Sequence, residues 1–253
     1  MKLVRFERPG TSQAVYGKLD GDAVSVIVGS PYEGLVVASS EQYPLEKVKL
    51  LSPCEPTKIV AVGLNYLDHA RELGMNLPEE PLIFLKPPSA VIGHKEFIVL
   101  PEMSSHVEYE AELGVVIGKR AHLVEEADAY DYILGFTCVN DVTARDLQKR
   151  DVQFTRSKSF DTFCPLGPFI ETELDPSSVR ICSYLNGQRR QDSNTQNLIH
   201  KVPELVSFIS HVMTLEPGDV IATGTPFGVG RIVPGDEIAV EIQGLGTLVN
   251  PVK

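Results

Sequence analysis

The chain of 253 residues has no apolar run near the roughly 20 residues of a membrane-spanning helix. Its start, Met1-Lys2-Leu3-Val4-Arg5-Phe6, holds no long apolar stretch and no small-residue cleavage site, so no signal peptide is expected. Cysteine is sparse. Cys54, Cys138, Cys164 and Cys182 are widely spaced and form no CxxC, which excludes a zinc ribbon or a disulfide framework and suits reduced core thiols of a cytoplasmic protein. Basic residues are outnumbered, with 23 Lys+Arg against 34 Asp+Glu and a net charge of −11. That balance argues against non-specific binding to nucleic acid or to a membrane surface, both of which need basic patches. Also missing are the GxSxG elbow, the HExxH helix and the GK[ST] ending of a P-loop.

What is present is ordinary globular material, 43% hydrophobic and 23% charged. The length allows one large domain, or one domain with a small appendage. Val15–Leu19 and Ala23–Val28 flank Asp20-Gly21-Asp22, which predicts a hairpin. Pro44, Pro53 and Pro56 suggest a linker, so residues 1–50 read as a small β-rich domain and 57–253 as the main one. Further strands are predicted at Lys58–Gly63, Ala111–Gly118, Tyr132–Val139, Val220–Ala222 and Ile238–Ile242. A second hairpin should turn at Asn186-Gly187. Helices are fewer. Asn65 suits the N-cap of a helix over Tyr66–Leu73, another should start after Thr143, and a third should run from Pro203 to Met213. The fold class is therefore mainly β with few helices: a sandwich, roll or barrel.

Glu110-Ala111-Glu112 would place two carboxylates on one face of a strand, where they repel unless a cation lies between them or the face is solvated. Glu108 continues the alternation, so spacing alone leaves open which two matter. Asp141 follows a buried strand, either as a rim residue of a site or as a turn residue. Carboxylates without Cys or His nearby suit Mg²⁺, Mn²⁺ or Ca²⁺ better than zinc. His69 and Glu72 lie three apart on the proposed first helix, as a surface pair or as a carboxylate-oriented base on a mobile lid. Arg145 could grip a substrate carboxylate, and Lys158 lies between a polar and an apolar stretch. The Gly-rich run Thr223–Gly230 is either a tight loop or a cradle that offers backbone N–H groups and the Thr225 hydroxyl to an anion.

In order along the chain, several segments combine. They are Val62-Gly63-Leu64-Asn65-Tyr66-Leu67-Asp68-His69-Ala70, Ile83-Phe84-Leu85-Lys86-Pro87, Tyr109 to Gly118, Asn140 to Asp146, Lys158-Ser159-Phe160-Asp161 and Gly218 to Pro226. Together they resemble the fumarylacetoacetate hydrolase (FAH) family from about residue 57 to the end. The smaller members look nearest: acylpyruvases, oxaloacetate decarboxylases and 2-hydroxyhepta-2,4-diene-1,7-dioate isomerases of aromatic catabolism. The resemblance implies an FAH-type mixed β-sandwich roll, usually a homodimer, with one Mg²⁺ or Mn²⁺ per subunit. Glu110, Glu112 and Asp141 would be the metal ligands, His69 and Glu72 the water-activating dyad, and Lys158 a stabiliser of developing charge. Arg145, Gln148 and Thr225 would line the substrate site. Leu64 stands where some acylpyruvase-like members carry Arg, and the segment from Gln148 to Lys158 is short.

The chemistry so implied is enolate formation from a small anionic 2-oxo or 2-hydroxy-dienoic di-acid at the metal. Hydrolysis of a C–C bond in an acylpyruvate-type substrate is the first expectation, with isomerisation or decarboxylation as the alternative. A non-catalytic metal- or ligand-binding β protein would keep the carboxylates without needing His69, Glu72 and Lys158.

Overall fold

The computed structural model describes residues 1–33, 37–68 and 77–253. A mixed sheet of twelve strands forms its spine. Ten of them run in the order Val37–Pro44, Ala23–Val28, Ala14–Asp20, Lys2–Glu7, Cys164–Glu171, Ile133–Asn140, Ala111–Ile117, Val220–Ala222, Ile59–Gly63 and Leu82–Lys86, while Lys49–Leu50 pairs with Lys2–Glu7 and Val91–Ile92 with Cys164–Glu171. Most neighbours are antiparallel, but Val220–Ala222 runs parallel to Ile59–Gly63. The N-terminal strands are not a separate sheet. Lys2–Glu7 pairs directly with Cys164–Glu171, so the proline-marked stretch at 44–56 interrupts no ladder.

Both predicted hairpins form. Asp20 pairs with Ala23 around Gly21 and Asp22. Leu185 pairs with Gln188 around Asn186 and Gly187, whose φ values of 52° and 75° suit the inward-twisting two-residue turn.

The central strand Ala111–Ile117 is buried along its whole length, because both of its faces are covered. Leu113, Val115 and Ile117 join Ile181, Val240, Ile242 and Leu248 from a second sheet of four strands. The helix Val202–Val212 adds Leu205, Val206 and Ile209 to that core, as its apolar spacing predicts. The opposite face carries Val116, which packs with Ile59, Ala61, Val139 and Leu166 and with Leu3 and Ile27 of the N-terminal strands. All four cysteines are buried free thiols.

A third, three-stranded sheet joins Thr143–Ala144, Val107–Tyr109 and Gly230–Ile232. It positions the site. Two chain segments leave the main sheet and enter this one side by side. One passes through Glu110, the other through Asp141, and the Asp141 N–H donates to the Glu110 carbonyl at 2.9 Å. The predicted helix after Thr143 follows as Arg145–Arg150, and Thr155–Lys158 forms another short helix. Of the helix expected over Tyr66–Leu73, residues 69–73 lie outside the described residues. Tyr66 bridges to Leu198, and the Asn65 side chain binds the His200 backbone and the Thr223 carbonyl. No helix among the described residues is long and apolar enough to cross a membrane.

Candidate metal centre

Glu110, Glu112 and Asp141 each bring a carboxylate oxygen into one cluster, within 4.8 Å of one another. All three side chains are buried. Glu108, the next in the alternation, is not part of this group. Its two oxygens meet His106 Nε2 and Arg145 Nε, each at 2.7 Å.

Three cations offset the cluster. Lys158 Nζ lies 2.8 Å from Glu110 Oε2 and 2.6 Å from Asp141 Oδ2. An Arg145 terminal nitrogen donates to Glu110 Oε1. The third is Lys86, which sequence reasoning placed inside a motif but not in the site. It is fully buried, and its Nζ donates to Asp141 Oδ1 at 2.5 Å and to the Val142 carbonyl at 3.2 Å. A signal was available: a lysine that closes the apolar run Leu82-Ile83-Phe84-Leu85 is either exposed at an edge or paired with a buried acid.

The pairing is uneven. Burial works against ionisation of Glu110, but Lys158 and Arg145 outweigh it and hold this carboxyl below the usual carboxylate range. Glu112 goes the other way. Burial first, then the charges of Asp141 and Glu110, push its carboxyl well above that range. A neutral group, the Gly224 N–H, donates to its Oε2 at 2.8 Å. Burial opposes the charge on Lys158, but Asp141 and Glu110 overcome it and keep the ammonium protonated.

Among the described residues Glu112 is thus a buried carboxylate with no cation paired to it, beside two that have theirs. A hard divalent cation fits this donor set of three oxygens, and would be held by Glu110, Glu112 and Asp141.

Above the cluster lies a cavity of about 220 Å³. Val62, Leu64, Leu82, Phe84 and Phe154 form its apolar wall, while Arg145, Gln148, Lys158 and Thr225 add polar groups. Phe84 and Phe154 meet edge-to-face at 5.5 Å, and Lys158 Nζ lies 5.1 Å from the Phe84 ring centre. Leu64 takes a φ of 48°, a left-handed conformation that costs on the order of 1–3 kcal/mol away from glycine and is most often kept at functional sites.

Three expectations need refinement. Arg145 is not a free fork, since it binds Glu108, Glu110 and Gln148; among the described residues one N–H on each terminal nitrogen is left for a ligand. The Gly-rich loop does not aim the Gly224 N–H at a ligand but at Glu112. Gly224 is required there, because its φ is 96° and a Cβ would sit 2.8 Å from Asn65 Cβ. The Thr225 hydroxyl is likewise engaged by protein groups. His69 and Glu72 lie outside the described residues.

The family model described as fumarylacetoacetate (FAA) hydrolase, C-terminal, matches residues 58–253. The chain belongs to this family. A second model, Rv2993c-like, N-terminal, matches residues 1–53. Among relatives, the mitochondrial oxaloacetate tautomerase FAHD2B of Bos taurus is 45% identical, with all of this chain and 91% of the relative covered. The crystal structure of 5-carboxymethyl-2-hydroxymuconate delta-isomerase from Mycobacterium smegmatis is 44% identical with a TM-score of 0.94, covering 100% of this chain and 99% of that one. Maleylpyruvate hydrolase from Sphingobium sp. SYK-6, solved with manganese(II) and pyruvate, is 33% identical with a TM-score of 0.82, covering 100% and 98%. This FAH-family chain is thus an enzyme whose relatives include a tautomerase, an isomerase and a hydrolase.

Proposed function

We propose that this FAH-family enzyme catalyses metal-dependent proton transfer on a small 2-oxo di-acid, interconverting its keto and enol forms. The observation that carries the reading is the oxygen cluster of Glu110, Glu112 and Asp141 in a small cavity that Arg145 and Lys158 also line. The two full-length relatives at 45% and 44% identity are named for a tautomerase and an isomerase, both of which move a proton and a double bond.

When bound, Mg²⁺ or Mn²⁺ supplies Lewis acidity toward a keto oxygen. The chain supplies the rest. Lys158 sets a fixed positive charge beside the position where negative charge develops. Arg145 offers its two remaining N–H groups to a substrate carboxylate. Because Arg145 donates to Gln148 Oε1, the Gln148 amide has its NH₂ left to donate. Phe84, Phe154, Leu64 and Leu82 exclude water and so strengthen these interactions. In balance, one proton leaves the carbon next to the carbonyl and one arrives on the carbonyl oxygen. Carriage of the carbon proton is assigned to His69 and Glu72 on the family resemblance.

C–C hydrolysis of an acylpyruvate-type substrate is the second reading, favoured by the maleylpyruvate hydrolase relative. The test is an assay of EDTA-stripped protein with Mg²⁺ or Mn²⁺ added back, on oxaloacetate, acetylpyruvate and a 2-hydroxy-dienedioate. Loss of enol absorbance from oxaloacetate without release of a carbon fragment supports proton transfer. Cleavage of acetylpyruvate, with oxaloacetate untouched, overturns it in favour of hydrolysis.

A further inference from the structure

Arg145 lines the cavity, but one of the groups that hold it does not. Its Nε–H donates to Glu108 Oε2 at 2.7 Å, one terminal nitrogen donates to Gln148 Oε1 at 2.5 Å, and the other donates to Glu110 Oε1. Nε carries a single proton, and Glu108 takes it. The side chains of Arg145 and Glu108 are 17% and 14% exposed, so an Nε–H left without its acceptor would be costly.

The three acceptors are not equivalent. Glu110 belongs to the oxygen cluster, and its other oxygen meets Lys158. Gln148 is neutral. Among the described residues Glu108 is the carboxylate that Arg145 meets outside the cluster. Without that counterweight, the pull on Arg145 comes from the buried carboxylates of the cluster, and the guanidinium would turn toward them.

Glu108 is itself fixed. Its Oε1 meets His106 Nε2 at 2.7 Å. Its backbone lies in the middle strand of the three-stranded sheet, opposite Thr143 on one side and Arg231 on the other. The Arg145 N–H donates to the His106 carbonyl at 2.8 Å, so one strand anchors both the backbone and the side chain of the arginine.

We infer that Glu108 is a positioning residue: by holding the Nε–H of Arg145 it keeps the remaining N–H groups of the guanidinium turned to the cavity, and so gives the site its preference for a ligand with a second carboxylate. The inference rests on the 2-oxo di-acid reading and names the residue on which selection of the second acid group depends.

The test uses two four-carbon 2-hydroxy acids, malate and 2-hydroxybutyrate, titrated calorimetrically into Mn²⁺-loaded protein. They share the head that would meet the metal, and differ in that malate ends in a carboxylate. Wild type should prefer malate. Glu108→Ala should weaken malate about tenfold, the order of one charge-assisted hydrogen bond, and leave 2-hydroxybutyrate unchanged. The unchanged acid also shows that the variant is folded and loaded. Glu108→Gln should keep the preference, because its amide oxygen can accept from Nε–H while its NH₂ meets His106 Nε2 in the other ring tautomer. If Glu108→Ala does not fold, Glu108→Asp, which keeps the charge but withdraws the carboxylate by one methylene, should show the same loss.

Equal weakening of both acids by Glu108→Ala or Glu108→Asp, or weakening of neither, overturns the inference. A loss in Glu108→Gln as large as in Glu108→Ala overturns it too, since the charge of Glu108 and not its bond would then set the preference. If wild type binds the two acids alike, the di-acid reading itself falls and this inference with it, an outcome distinct from the others.

Discussion

Lys86 Nζ lies 2.5 Å from Asp141 Oδ1, and neither side chain is more than 1% exposed. The other oxygen of Asp141 meets Lys158 at 2.6 Å. One carboxylate is thus clamped from both sides by buried ammonium groups. Such a pair is a poor source of net stability, yet breaking it from one side strands a charge.

Lys86→Met should therefore destabilise the metal-free protein by about 3–5 kcal/mol, the usual cost of leaving a buried charge without its partner. Added Mn²⁺ should recover part of this, because it brings positive charge back to Asp141. Urea denaturation with and without metal reads both effects. A loss under about 1 kcal/mol would mean that Lys158 alone suffices.

Glu112 gives a pH test. Its carboxyl is pushed well above the usual range by burial, Asp141 and Glu110. From the unfolded value near 4.3 up to the folded value, the native state binds more protons than the unfolded one. Metal-free wild type should therefore lose stability as pH rises through that window. Glu112→Gln should flatten the slope and also abolish metal stabilisation, which at about 100 times the dissociation constant is about 2.7 kcal/mol for wild type. Parallel stability curves for the two proteins would contradict the assignment.

Asp146 works in the opposite sense. Desolvation raises its pKa, but hydrogen bonds from Ser104, Ser105 and the Leu147 N–H bring the carboxyl down to about 2. Its contribution is present above the unfolded value near 3.9 and is lost as pH falls through about 2. Asp146→Asn should cost about 1 kcal/mol at pH 7, after allowance for solvent screening, and nothing below pH 2. Acid denaturation of both proteins checks the convergence.

Much of the fold was legible because the signals were local. Asp-Gly and Asn-Gly turns set both hairpins, and the apolar spacing of Leu205, Val206 and Ile209 set the helix. The continuity of the N-terminal strands with the main sheet was not, because the pairing of Leu3 with Ile170 spans most of the chain and leaves no local trace. In the site, alternation put Glu110 and Glu112 on one face but could not separate them from Glu108; the approach of the distant Asp141 to Glu110 and Glu112 does that. Lys86 escaped because a strand-end lysine looks the same in sequence whether it meets water or a buried acid.

Asp219 offers a control away from the cavity. It is fully buried, accepts from the N–H groups of Thr57, Lys58 and Glu216, and pairs with Lys58 Nζ at 2.5 Å. Asp219→Ala should cost about 3–5 kcal/mol. It should leave KM unchanged in whatever fraction stays folded at low temperature; a changed KM would tie this knot to the cavity.

His69→Ala separates the two readings of the chemistry. If His69 activates water, hydrolysis should fall by about 10²–10⁴-fold while decarboxylation is largely spared. If it carries the carbon proton, keto–enol exchange should fall by a similar factor. Rates on acetylpyruvate and oxaloacetate, measured on one preparation, decide between them.

The most direct test of the central claim is exchange of the C3 hydrogens of oxaloacetate with D₂O, followed by proton NMR. Metal-loaded wild type should exchange them well above the uncatalysed rate, and EDTA-stripped protein and Glu112→Gln should not. Exchange no faster than background with Mg²⁺ or Mn²⁺ bound would contradict the proposal that this carboxylate and lysine centre moves a proton on a 2-oxo di-acid.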